Sequence, residues 1–132
     1  GKAYNHLGWV YETKYKNMER AEEYYKAAMR YAPNYNAAHL NYAYFLSNLG
    51  RFEELRAHLE KLSQLSGIAK DTIANEYAIM YEMQGSLQEA IEQYQKAAMT
   101  TLDNAKLDRY RESIERCQKK MELLSPSSSF LS

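Results

Sequence analysis

The chain is expected to fold as an all-α solenoid, and three observations lead there. First, one pattern recurs every 35 residues: Leu7-Gly8-Trp9-Val10-Tyr11, Tyr42-Ala43-Tyr44-Phe45-Leu46 and Tyr77-Ala78-Ile79-Met80-Tyr81 align, each with a small residue (Gly8, Ala43, Ala78) behind a large one. Second, matched offsets follow downstream at Ala21, Leu55 and Ala90, at Tyr25, Leu59 and Tyr94, and at Ala28, Leu62 and Ala97. Small residues at fixed offsets mark close helix–helix approaches, and a unit of this kind buries its apolar face only by stacking on copies of itself. Third, 132 residues hold only five Gly and two Pro, and their charges are interspersed rather than blocked, which suits helix formers in a domain large enough to bury a core.

The elements follow in order. Helices are predicted at about 2–15, 18–31, 35–49, 52–65, 69–84, 87–101 and 104–123. The stops are Ala32-Pro33-Asn34, Leu49-Gly50, Ser66-Gly67 and Gln84-Gly85, where proline or glycine ends a periodic run. Ser86 with Glu89 reads as a capping box opening the sixth helix, and Asp103 as the cap of the seventh. In that last helix Leu107, Tyr110, Ile114, Cys117, Met121 and Leu124 recur at spacings of three and four. One apolar stripe describes a helix that covers a stack and ends it. Residues 1–124 are thus expected to form a single domain with repeats at about 1–34, 35–69 and 70–104 and a cap helix at 104–123. Residues 125–132, rich in serine, are expected to form a flexible tail in which Phe130 and Leu131 are the apolar residues. Opening directly inside a first helix is consistent with a piece of a longer protein.

These offsets resemble the tetratricopeptide repeat, a helix–turn–helix of about 34 residues. Repeat one carries Tyr4, Leu7, Gly8, Tyr11, Ala21, Tyr25, Ala28 and Pro33, and repeat three carries Tyr77, Ala78, Tyr81, Gly85, Ala90, Tyr94 and Ala97, with Leu102 in place of the usual proline. Leu55, Leu59 and Leu62 make the second helix of the middle repeat degenerate. The resemblance covers roughly residues 2–104 and implies a right-handed superhelix of three repeats, with protein–protein interaction as its business. The pentatricopeptide repeat, an RNA reader with a native period of 35, is the rival. Two separate loop insertions, around Tyr15-Lys16-Asn17 and near Ser66-Gly67, explain the period better. A balance of 17 basic against 17 acidic residues also leaves no net field for a phosphate backbone. No nucleic acid is therefore expected as a partner.

At 100° per residue, Tyr4, Leu7, Gly8 and Tyr11 share the face that packs on the second helix, and Lys2, Asn5, His6, Trp9, Glu12 and Thr13 lie opposite. The resemblance implies that this opposite face lines a concave, ligand-binding groove. The expected partner-binding residues are Asn5, Trp9 and Glu12 in repeat one, Leu40, Asn41, Tyr44 and Asn48 in repeat two, and Asn75, Glu76, Ile79, Glu82 and Met83 in repeat three. Trp9, Tyr44 and Ile79 share one repeat position and are expected to form an apolar column. The alternative, that neighbouring helices swallow them, stays open for all three. Asparagines offer a peptide backbone both donor and acceptor, and Lys2 is the one cation expected on this face.

Family members that grip acidic chaperone C-termini use a two-carboxylate clamp of lysines, asparagines and an arginine. The five matching positions here are Asn5, Trp9, Asn41, Thr72 and Glu76, so Asn41 alone fits and all three cations are missing. The ligand is expected to be a protein or peptide, apolar and neutral-to-basic, not an acidic chaperone C-terminus. A structural or self-associating role, including a homodimer, is the alternative.

No catalytic residue, metal site or cofactor is expected, and the chain is not read as an enzyme. His6 points to the groove, His39 is a packing anchor, and His58 lies on an outer face, with no metal-site spacing between them. Cys117, the single cysteine, falls in the cap helix's apolar stripe as an inert thiol. No apolar run approaches the ~20 residues of a membrane span and no signal peptide is visible, so a cytoplasmic location and no membrane partner are expected.

Overall fold

Each repeat turns its corner the same way, and the turn shows where the extra residue of the first repeat went. Lys16, Gly50 and Gly85 all adopt positive φ, at 54°, 69° and 79°. That left-handed step suits glycine and strains lysine. The next residue closes each turn: Arg51 N–H donates to Leu46 O and Ser86 N–H to Tyr81 O, five residues back, but Asn17 N–H donates to Tyr11 O, six back. The insertion expected around Tyr15-Lys16-Asn17 sits in that wider turn.

The structure is a computed structural model that describes residues 1–125. Seven helices run among them: α1 Lys2–Thr13, α2 Met18–Tyr31, α3 Asn36–Asn48, α4 Phe52–Ser63, α5 Lys70–Met83, α6 Leu87–Thr100 and α7 Asn104–Leu124. All seven expected helices are present, and several end one or two residues early because their last turn unwinds into the connecting loop. The expected tail beyond Ser125, with Phe130 and Leu131, lies outside the described residues.

Local chemistry explains most boundaries. The Asp103 carboxylate accepts from Lys106 N–H at 3.1 Å and caps α7 as expected. Asn17 does the same for α2, accepting from Arg20 N–H at 3.1 Å, a cap the sequence reading had missed. The capping box at Ser86 does not form, since the side chain of Ser86 makes no capping bond. The second insertion also has a structural role: Gly67 takes φ 86°, and Asn36 Nδ2 donates to Ser66 O at 2.9 Å, tying the start of α3 to the loop after α4.

The chain divides into two compact units, Gly1–Ile68 and the part from Ala69 onward. In the first, α1 packs on α2, α2 on α3, α3 on α4, and α1 lies beside α3. Tyr25 is its centre: the ring is buried, meets Phe45 edge-on at 5.6 Å and Tyr42 at 6.5 Å, and crowds Gly8. A Cβ added to Gly8 would stand 2.7 Å from two Tyr25 ring carbons, so the glycine is dictated by helix proximity. In the second unit α6 packs between α5 and α7. Its core gathers Ala78, Ala90, Ile91, Tyr94 and Cys117, with a smaller cluster of Ala74, Ala97 and Tyr110.

The cap helix is only half as apolar in place as its stripe suggested. Tyr110 and Cys117 are buried and Ile114 packs on the core, but Met121 and Leu124 are exposed. The other fastenings of α7 are polar. Tyr110 Oη donates to Asp71 Oδ2 at 2.7 Å, and Lys106 Nζ stands 3.5 Å from the same carboxylate.

Candidate functional site

The expected binding residues separate into those that present a surface and those the fold has already engaged. In the first unit, Trp9 on α1 and Tyr44 on α3 are 52% and 39% exposed, one repeat apart on neighbouring helices. The His6 imidazole stacks on Trp9 at 6.2 Å and extends the aromatic surface toward the start of α1. Leu40, in the first turns of α3, is half-buried. For Trp9 and Tyr44, the surface reading is the one the geometry favours.

The amides behave differently from expectation. Asn5 is buried, and its Oδ1 accepts from Asn41 Nδ2 at 3.0 Å. The two asparagines therefore fasten α1 to α3 and are not set out for a peptide backbone. A sequence reading misses this because each amide can satisfy either task, and only the interhelical distance decides. Farther along, the Glu12 carboxylate accepts from Tyr25 Oη at 2.7 Å and, at a long 3.5 Å, from Asn48 Nδ2. Burial and the Glu12 carboxylate both push the Tyr25 phenol well above the usual range.

In the second unit the corresponding face is more heavily engaged. Ile79 packs against the core cluster, so the packing alternative holds for it. Met83 is exposed and Asn75 half-buried. Glu76 is buried, and burial alone raises its carboxyl to about 7. It is closed off from a ligand, although it stands among the expected partner-binding residues. Glu82 is not open either. Its side chain is 8% exposed and accepts 2.7 Å bonds from Arg116 Nε and Nη2, from Lys120 Nζ and from Tyr94 Oη. Hydrogen bonding from Arg116 above all holds it well below the usual carboxylate range. Lys2 is thus not the one cation near these positions, because α7 brings Arg116 and Lys120 to Glu82. Nothing in the sequence of α5 announces them; they sit on the cap helix, 34 and 38 residues away.

A family model for the tetratricopeptide repeat matches residues 3–120. The chain belongs to the tetratricopeptide repeat family. Comparison with the curated proteins and with the solved structures gave no match.

The remaining candidates in this tetratricopeptide repeat protein are quickly placed. His58 is not on an outer face. It is buried, with Nε2 2.8 Å from His39 O, its ring stacked on His39 at 5.9 Å and edge-on to Tyr42 at 5.0 Å. Burial pushes its pKa below the ordinary histidine value. His39 anchors the α2–α3 connection, with Nε2 2.8 Å from Pro33 O and a buried Nδ1 that has no hydrogen-bond partner. Among the described residues no group of three or more His, Cys, Asp or Glu side chains is placed to hold a metal ion. The Cys117 thiol is buried, and burial raises its pKa. No helix of the described residues is long and apolar enough to cross a membrane.

Proposed function

We propose that the α1–α3 face of the first unit binds a peptide or helical segment of a partner protein. Tetratricopeptide repeats generally mediate protein–protein interaction, and the finer reading rests on one observation: Trp9 and Tyr44 stand exposed on adjacent helices at the same repeat position. Large aromatic anchors presented side by side are where hot spots concentrate. Glu12 borders them, with an Oε2 contacted by Asn48 only at 3.5 Å, which leaves acceptor capacity for a cation. The ligand is therefore an apolar segment with a neutral-to-basic flank, and an acidic chaperone C-terminus is disfavoured. In the second unit, exposed Met83 and half-buried Asn75 offer contacts of the same kind. Buried Glu76, core-packed Ile79 and neutralised Glu82 contribute little. Self-association through the same aromatic pair is the alternative.

A peptide array screened with the purified domain tests this. Apolar–basic peptides are expected to bind with micromolar affinity, about −8 kcal/mol. A Trp9→Ala or Tyr44→Ala variant should weaken the best of them by about 2 kcal/mol, and Glu12→Lys should slow association and reverse its salt dependence. Binders insensitive to both aromatic variants would remove the face from consideration. Sedimentation at increasing concentration separates the alternative, since a monomer throughout excludes self-association.

A further inference from the structure

The third repeat shows what a carboxylate at the Glu12 position can hold. Glu82 receives the Arg116 guanidinium as a fork, Nε donating to Oε2 and Nη2 to Oε1, both at 2.7 Å. Nη2 also reaches the Tyr94 hydroxyl at 3.4 Å, and that hydroxyl itself donates to Oε1 at 2.7 Å. Carboxylate and phenol thus act as one receptor for a planar cation, and Lys120 Nζ adds a 2.7 Å contact to Oε2. Two parallel N–H bonds give such a pairing its geometric selectivity.

The first unit repeats the receptor but not its two cations. Tyr25 Oη donates to Glu12 Oε1 at 2.7 Å, and the buried Tyr25 ring keeps the carboxylate oriented. A neighbouring helix is in place, because α3 lies beside α1 and reaches Glu12 through Asn48. What differs is the side chains. Arg116 and Lys120 lie 34 and 38 residues beyond Glu82. At the same distances beyond Glu12 stand Leu46, which is buried, and Gly50, which has no side chain. Asn48 falls between them and touches Oε2 at 3.5 Å, beyond good hydrogen-bond length. Cations of the adjoining turns are engaged elsewhere, Lys14 over the Tyr15 ring and Arg51 between Glu22 and Glu54. Trp9, three residues before Glu12 on the same face of α1, is 52% exposed and offers a ring on which a guanidinium can lie.

We propose that Glu12, Tyr25 and Trp9 read an arginine, as distinct from a lysine, in the partner's segment. This rests on the α1–α3 face being the binding face and names the basic residue that the face selects. The Glu12 carboxylate takes the guanidinium fork, the Tyr25 hydroxyl fixes the carboxylate's orientation, and Trp9 covers the guanidinium plane. Dimethylation of that arginine keeps its charge but blocks the fork, so methylation of the partner weakens binding.

The test titrates the whole chain with synthetic octapeptides that carry one fixed phenylalanine, one guest residue and uncharged degenerate positions elsewhere. The guest is arginine, lysine, asymmetric dimethylarginine or citrulline, scanned through the remaining positions. Arginine peptides are expected to bind about tenfold tighter than lysine or dimethylarginine peptides, which carry the same charge. In a Glu12→Gln variant, which keeps an acceptor for Tyr25 Oη, arginine and lysine peptides should come within about twofold of each other. The citrulline peptides, uncharged but still bearing phenylalanine, report on the aromatic face by amide NMR shifts at Trp9 and Tyr44. Those shifts together with equal arginine and lysine affinities would overturn the arginine reading and leave the binding face standing. Shifts at neither residue with any guest would overturn both. An arginine preference undiminished in Glu12→Gln would place the reader elsewhere and overturn the assignment to Glu12.

Discussion

Glu12 and Glu82 occupy the same position in the first and third repeats, 70 residues apart, and each accepts a 2.7 Å bond from the second-helix tyrosine of its own repeat, Tyr25 or Tyr94. From there the two regions diverge. Beside Glu12 the neighbouring helix α3 offers Asn48, at a long 3.5 Å. Beside Glu82 the neighbouring helix α7 offers Arg116 and Lys120, all at 2.7 Å. The same local pair is thus left open in one unit and saturated in the other. A middle pair is missing altogether, because Ser47 and Leu59 stand at those positions. The lesson concerns what holds an end helix. The α1–α3 contact is fastened by the part-buried Asn5–Asn41 amide pair, which needs no charge. The cap helix α7 buries little beyond Tyr110, Ile114 and Cys117 and makes up the difference with ion pairs onto a mostly buried carboxylate. Glu12 keeps the capacity that Glu82 has lost, which is why a ligand cation is sought at the first and not at the second.

The largest test of that contrast is Arg116→Ala. Removing the guanidinium leaves Glu82 buried with Lys120 as its remaining cation, and a chemical melt should show a loss of about 2 kcal/mol, discounted because Arg116 itself is half exposed. Asn48→Ala, the matching deletion in the first unit, should change stability by about 0.5 kcal/mol or less. Equal losses would erase the distinction between the regions.

A second test sharpens it within α5, where Glu82 is lowered and Glu76 raised to about 7. A carboxyl whose folded pKa lies above its ordinary 4.5 binds its proton more tightly when folded. Its contribution is therefore complete below pH 4.5 and is lost as pH rises through 7. Glu76→Gln should stabilise the protein by about 2 kcal/mol at pH 8 and leave it unchanged near pH 4. Glu82→Gln should do the opposite in sign, destabilising at pH 8, since its depressed pKa makes the ionised form the stabilising one. A flat pH dependence of the Glu76→Gln difference would sink the assignment.

A smaller effect than either glutamate test concerns the glycine at the shared small position. Ala78 already accommodates a methyl in the second unit, fully buried, whereas a methyl on Gly8 would meet the Tyr25 ring at 2.7 Å. That ring is fixed by Phe45, Tyr42 and its bond to Glu12. Gly8→Ala gains about 1 kcal/mol in helix propensity and loses about 1–3 kcal/mol to overpacking, a net cost of about 1 kcal/mol in a thermal melt. A stabilised variant would mean that α1 and α2 are not held this closely.

By itself the sequence determined the periodic part of this protein. Small residues at Gly8, Ala43 and Ala78, large ones at fixed offsets, and stops at Pro33, Gly50 and Gly85 are local or repeating signals, and helix position depends on such signals directly. Asp103 capped α7 as its type and place required. Tertiary structure alone decided the partners of the polar side chains. Asn5 and Asn41 were read as open amides and proved to bond each other; Glu76 was read as exposed and is buried; His58 was read as outward and is packed on His39 and Tyr42. The reason is physical. An apolar residue on a helix face is satisfied by any dense neighbour, so its periodicity predicts burial wherever the stack reaches, as at Tyr110 and Cys117, and fails at Met121 and Leu124, which stay exposed. A carboxylate or amide is satisfied only by a particular donor at about 3 Å. Whether the next helix supplies Asn48 or Arg116 depends on residues more than 30 positions away and on the angle at which two helices meet.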